Sequence, residues 1–182
     1  ATEQAVHLAD VLGVNLPEIN VDDFRRAGYL PEVLLNSLAL LGWSPGGDRE
    51  QFDRDFIKDH FDLDRIVKSP AKFDRAKLLA FNLDAIQAMD EDSFVDRVRA
   101  FCEAYEPKFL ESMSSAQFRT FALANKDRSK TLLDPVQSGQ FFIEADDAIT
   151  WPVSKPIRKA LCKGSPSGFD RLQQVRDVLA SL

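Results

Sequence analysis

Cysteine, histidine and tryptophan are scarce in this chain of 182 residues, with two of each. Cys102 and Cys162 cannot build a disulfide framework, and they read as buried thiols in a reducing compartment, which places the chain in the cytoplasm. His7 and His60, far from each other and from both cysteines, leave no zinc-ligand spacing. No stretch approaches the roughly 18 uninterrupted apolar residues of a membrane helix. His7, Asp10 and Glu18 stand where a signal peptide keeps its apolar core. A phosphate-cradling glycine loop is missing too: Gly46-Gly47 has no Lys-Ser/Thr after it, and Gly164 to Gly168 is a linker broken by Pro166. With no Gly-x-Ser-x-Gly elbow, and acids around both histidines, neither catalytic residues nor metal ligands are expected.

What is present is a globular composition, 45% hydrophobic and 29% charged. Apolar residues recur at helical spacing and alternate with period two only rarely, so the fold is expected to be mainly α. Asp22 or Asp23 is expected to cap a short helix ended by Gly28. Pro31 opens a second, carrying Leu34, Leu35, Leu38 and Leu41 up to Gly42. A helix around Phe52, Phe56 and Ile57 follows, then one from Asp74 through Leu78, Phe81, Asn82 and Ile86. Met89 to Asp92 interrupts the pattern, and Ser93-x-x-Asp96 resembles a capping box for the helix of Phe94, Val98 and Phe101. Further helices are expected after Ser114 or Ser115, after Asp134-Pro135, from Pro156 to Leu161, and through Leu172, Val175, Val178 and Leu179. The 14 phenylalanines read as filling for a helical core. Asp53, Asp55, Asp59, Asp62 and Asp64, interleaved with Arg54, Lys58 and Arg65, read as a solvated face. With no Met at its start and no stop signal after its last helix, the chain is expected to be a fragment of something longer.

The net charge of −6 argues at first against a nucleic-acid partner, but it is an average. Residues 1–70 carry 7 Lys and Arg against 13 Asp and Glu, whereas residues 111–182 carry 10 against 8. Two basic clusters lie in that last stretch. One is Lys126, Arg128 and Lys130, with Arg119 nearby; the other is Lys155, Arg158, Lys159 and Lys163, spaced to share one helix face. Either could be an ordinary solvated face, but two of them in one part of an acidic chain point to phosphate contact.

Residues Ala27 to Ser44, which read Ala-Gly-Tyr-Leu-Pro-Glu-Val-Leu-Leu-Asn-Ser-Leu-Ala-Leu-Leu-Gly-Trp-Ser, resemble a stretch of the bacterial glutamyl-tRNA synthetase family. The likeness continues in order through Asp48-Arg49-Glu50 and Phe52, Phe61 to Asp74, Lys77-Leu78-Leu79 with Asn82, then Arg128-x-Lys130-Thr131-Leu132 and Phe141-Phe142. The family's His-x-Gly-His and Lys-Met/Leu-Ser-Lys-Arg signatures for ATP are absent, and residues 1–20 match nothing in it.

The resemblance implies a fragment C-terminal to the catalytic domain. It comprises a stem-contact helical domain over residues 1–88, followed by an α-helical anticodon-binding domain over residues 89–182, truncated at its end. It implies glutamate-specific tRNA as partner, together with the N-terminal catalytic domain of the same chain, and a monomer. The whole enzyme would use ATP and Mg²⁺ to join glutamate to tRNA, and the fragment alone would need no cofactor and would be inactive. By position Arg128 would read the third anticodon base, since a guanidinium offers a planar pair of donors that lysine lacks. Lys126, Lys130, Arg119, Lys155, Arg158, Lys159 and Lys163 would hold the tRNA. The other reading open to the sequence is a helical protein-interaction module derived from a synthetase, without RNA binding, working through its acidic residues 1–70.

Overall fold

The computed structural model describes residues 11–12, 17–66, 72–143 and 154–181. Among these the chain is helical, without a strand, and Trp43 and Ile66 form an isolated antiparallel bridge. The chain divides into two compact units, Ala1–Ile143 and Glu144–Leu182. The boundary expected at 88/89 falls inside the first of them. Val67 to Ala71, part of the Phe61–Asp74 motif, lie outside the described residues.

The first unit opens with α1 (Val21–Arg26). Its cap is Asn20 and not Asp22 or Asp23: Asn20 Oδ1 accepts the Asp23 amide at 3.0 Å, and the Asp23 carboxylate accepts the Asn20 amide at 2.9 Å. Asp23 therefore closes a capping box from the third helical position. Gly28 follows with φ +81, a left-handed conformation that reverses the chain into α2 (Pro31–Ala39). α3 (Arg54–His60) is capped by Asp53, and Phe52 just before it packs edge-on against buried Trp43.

α4 (Arg75–Ala88) begins as its sequence indicates, with Asp74 accepting the Lys77 amide at 3.0 Å. Its buried face is Leu78, Asn82 and Ile86, spaced by four. α5 (Glu91–Tyr105) is capped by Asp90, which accepts both the amide and the hydroxyl of Ser93. The helix is thus capped one turn earlier than the box expected from Ser93 to Asp96, by Asp90 holding the Ser93 amide. Those two bonds hold the Asp90 carboxyl below its ordinary range.

Pro107 starts the short α6 (Pro107–Glu111), and Ser114 with Gln117 forms the capping box of α7 (Ser115–Asn125). α8 (Asp134–Ser138) closes the unit's helices, followed by a 3₁₀ turn at Gln140–Phe142. Phe94, Val98 and Cys102 of α5, Phe109 of α6, Phe118 and Ala122 of α7, Leu78 and Ile86 of α4 and Leu30 form one buried core. Burying each of these large side chains is worth up to about 3 kcal/mol.

The second unit holds α9 (Lys155–Cys162), capped by Ser154, and α10 (Gly168–Ala180), capped by Ser167. Gly164, at φ +106, separates them. Phe169, Leu172, Val175, Val178 and Leu179 of α10 are exposed.

Candidate nucleic-acid interface

The first basic cluster is built at the end of α7. Asn125, the last residue of the helix, is 2% exposed, and its Nδ2 donates to the Phe121 carbonyl at 2.8 Å. A 3₁₀ turn over Lys126–Arg128 follows, closed by buried Ser129, whose hydroxyl donates to the Asn125 carbonyl at 2.8 Å. Arg128, exposed between these two buried anchors, folds back over the helix end. Its Nε donates to Asn125 Oδ1 at 2.9 Å, and one terminal nitrogen donates to the same oxygen. A guanidinium carries five N–H donors, so the others remain for a ligand while its plane is held by the pair to Asn125.

Arg128 and Ser129 line a cleft of about 310 Å³ with Asp134, Gln137 and Ser138 of α8. Asp134 accepts the Lys130 amide at 2.6 Å, the Thr131 amide at 3.3 Å and the Thr131 hydroxyl at 3.0 Å. That carboxylate is thus already engaged in ordering the loop between α7 and α8. Lys130 is exposed and makes no ion pair with a described residue.

The other two cations of this cluster are placed differently. Lys126 donates from Nζ to the Gln87 carbonyl at the end of α4, at 2.8 Å. Arg119 lies on α7 against the start of α5, 2.7 Å from Asp92 and 3.9 Å from Glu91. Both tie helices together, so the structure leaves Arg128 and Lys130 as this cluster's cations facing solvent without an acid partner among the described residues.

In the second unit Lys155, Arg158 and Lys159 lie on α9, exposed and without an ion pair to a described residue. The helix ends at Cys162, and Lys163 is extended, so Lys163 does not continue the shared face expected from its spacing. The five carboxylates at 53–64 are exposed, and two of them serve as caps: Asp53 for α3 and Asp62 for the 3₁₀ turn at Leu63–Arg65. Among the described residues no three His, Cys, Asp or Glu side chains gather as a metal site.

Three residues that organise this region were not singled out for it by the sequence: Asn125, Ser129 and Asn82. Asn82 had a readable signal, a polar residue in the middle of the apolar stripe Leu78, Asn82 and Ile86. A buried carboxamide at such a position requires partners, and it has two: Oδ1 accepts the Leu30 amide at 2.8 Å, and Nδ2 donates to the Lys130 carbonyl at 2.6 Å. Three of the stretches that carried the resemblance, those of Leu30, Asn82 and Lys130, therefore meet at one side chain.

Residues 16–80 match the family described as tRNA synthetases class I (E and Q), catalytic domain. That name covers most of the segment expected to form a stem-contact domain beyond the catalytic one. The chain is homologous to glutamate–tRNA ligases: it is 35% identical over 164 residues to the glutamate–tRNA ligase of Corynebacterium diphtheriae, covering 88% of this chain and 33% of that protein. It is 36% identical over 130 residues to that of Corynebacterium jeikeium, covering 71% of this chain and 26% of the relative. This chain thus spans a third or less of the length of these curated relatives. In fold it is similar to the crystal structure of a glutamate–tRNA ligase from Elizabethkingia meningosepticum in complex with its amino acid, with a TM-score of 0.62 at 24% identity over 87% of this chain and 30% of that one. The glutamate–tRNA synthetase of Elizabethkingia anophelis gives 0.58 at 22% identity, over 97% of this chain and 41% of that one.

Proposed function

We propose that this chain is the tRNA-binding part of a glutamate–tRNA ligase, and that it positions glutamate tRNA and reads its anticodon. The observation that carries the reading is Arg128. Its guanidinium is oriented by a buried asparagine and opens beside a cleft, in a chain homologous to glutamate–tRNA ligases. A planar cation held this way can give paired hydrogen bonds to one base edge of a single-stranded loop, which is how RNA sequence is commonly recognised.

Lys130 next to it, and Lys155, Arg158, Lys159 and Lys163 in the second unit, supply charge for phosphates. Such contacts fix register and carry no sequence information. Arg119 and Lys126 act from within the fold, by holding α7 and the 126–128 turn to α5 and α4. Residues up to Ala88 form the stem-contact segment and the following ones the anticodon segment, a division of roles within a first unit that packs around one core. The whole enzyme, a cytoplasmic monomer, activates glutamate with ATP and Mg²⁺ in the catalytic part of its own chain.

The test is binding of this chain to glutamate tRNA at several salt concentrations. Affinity that falls steeply with salt, and that exceeds affinity for an unrelated tRNA, supports the reading. A chain that binds no tRNA contradicts it and favours the protein-interaction module.

A further inference from the structure

We infer that Asn82 is a positioning residue for anticodon reading, which sets the Arg128 loop by hydrogen-bonding it to the turn before α2. The inference rests on the role proposed for Arg128. Asn82 is fully buried on α4 and reaches two segments remote in sequence, with Oδ1 on the Leu30 amide and Nδ2 on the Lys130 carbonyl. The two segments also touch directly, as the Leu132 amide donates to the Gly28 carbonyl at 2.9 Å. Further along α4, the Gln87 side chain donates to the Asp127 carbonyl at 2.8 Å, and Lys126 donates back to the Gln87 carbonyl.

The loop carrying Arg128 is therefore fixed to α4 at Lys126, Asp127 and Lys130. Of these ties only the one from Asn82 comes from a fully buried side chain; its bond to the Lys130 carbonyl is part-buried, and the two through Gln87 are exposed. Arg128 lies between the ties, so its distance from the cleft wall at Gln137 and Ser138 depends on the loop staying seated. A hydrogen bond partly shielded from water holds geometry better than the exposed ones, because solvent competes less for its partners. Asn82 also makes the seat asymmetric: one end of its carboxamide accepts and the other donates, and only the donating end touches the loop.

Asn82→Asp uses that asymmetry. As a carboxylate it keeps an oxygen for the Leu30 amide but turns a second oxygen towards the Lys130 carbonyl, so it releases the loop and spares the turn; protonated, it would donate as Asn82 does, so the release should grow as pH rises. The experiment measures binding of this chain to glutamate tRNA and to the same tRNA with its third anticodon base replaced. It compares the parent chain, Asn82→Asp, Arg128→Ala and the double variant. Asn82→Asp is expected to lower the ratio of the two affinities by about tenfold while leaving the salt dependence unchanged, and to add nothing in the Arg128→Ala background. An unchanged ratio, or losses that multiply in the double variant, overturns the inference.

A parent chain that does not distinguish the two tRNAs overturns the Arg128 reading and this inference with it. That outcome is visible before any substitution at Asn82. If Asn82→Asp does not fold, the parent chain still decides. Exchange of the Leu30 amide hydrogen is expected to slow more on binding the matched tRNA than the altered one, and equal slowing overturns the inference.

Discussion

Arg128 donates its Nε–H to the Oδ1 of Asn125, its neighbour one turn back, at 2.9 Å, and Asn125 is 2% exposed. An exposed arginine is thus oriented by a buried asparagine, which a cation serving only as diffuse charge does not require. Replacing Arg128 with alanine is expected to cost about 1–3 kcal/mol of discrimination at the third anticodon base. Arg128→Lys should restore affinity without restoring discrimination, because an ammonium lacks the planar donor pair. Affinity titrations against matched and altered tRNA measure both effects, and an equal loss on both tRNAs would reduce Arg128 to a phosphate contact.

The cations of the second unit are expected to behave differently. Lys155, Arg158 and Lys159 are exposed on α9. Each changed to alanine should lower the slope of log affinity against log salt by about 0.7–0.9, the effect of one phosphate contact, and should leave the preference among anticodons unchanged. A salt titration of the three single variants checks this, and slopes identical to the parent's would remove α9 from the interface.

Gly28 is expected to be intolerant of any side chain. Its φ is +81, and a Cβ there would lie 2.5 Å from the Leu133 amide nitrogen and 2.8 Å from that of Leu132. Both atoms are backbone and cannot swing away. Gly28→Ala should destabilise the first unit by at least about 2 kcal/mol, the left-handed cost plus the displacement of residues 132–133. Urea unfolding gives the value, and a loss below about 0.5 kcal/mol would mean that the contact is not made in solution.

The two cysteines should separate by reactivity. Cys102 is fully buried, and burial pushes its thiol up from 9.0 to about 12, whereas Cys162, expected from the sequence to be buried as well, is exposed. At pH 8 an alkylating reagent is expected to modify Cys162 in the folded chain and Cys102 only after unfolding. The same shift gives a sign for stability. Between about pH 9 and pH 12 the unfolded chain has lost a proton that the folded chain keeps, so this thiol's contribution is complete below about pH 9 and declines as pH rises towards 12. Thermal unfolding at pH 8 and pH 10 measures the decline, with Cys102→Ala as the reference that should show less of it.

Local signals accounted for much of the fold. Asp74, Ser114 and Pro31 stand where α4, α7 and α2 begin, because a cap or a first-turn proline acts within a few residues of itself. At two helix starts the expected cap was misleading: Asn20, not Asp22 or Asp23, caps α1, and Asp90, not Ser93, caps α5. The basic residues of the candidate site were equally legible, and their order in the resemblance pointed to Arg128. What could not be read was how they are held. Asn82 bridges residues separated from it by 52 and 48 positions, and no local pattern encodes which carbonyl a buried carboxamide will find. The same long-range contacts join the segments on either side of residue 88 in one compact unit, which a change of composition near Met89 could not reveal.

The most direct measurement of the central claim is the ratio of this chain's affinities for glutamate tRNA and for the same tRNA with its third anticodon base replaced, taken at one fixed salt concentration. A ratio of at least about tenfold in favour of the matched tRNA is expected, equivalent to about 1.4 kcal/mol. Equal affinities, or no binding to either, would contradict it.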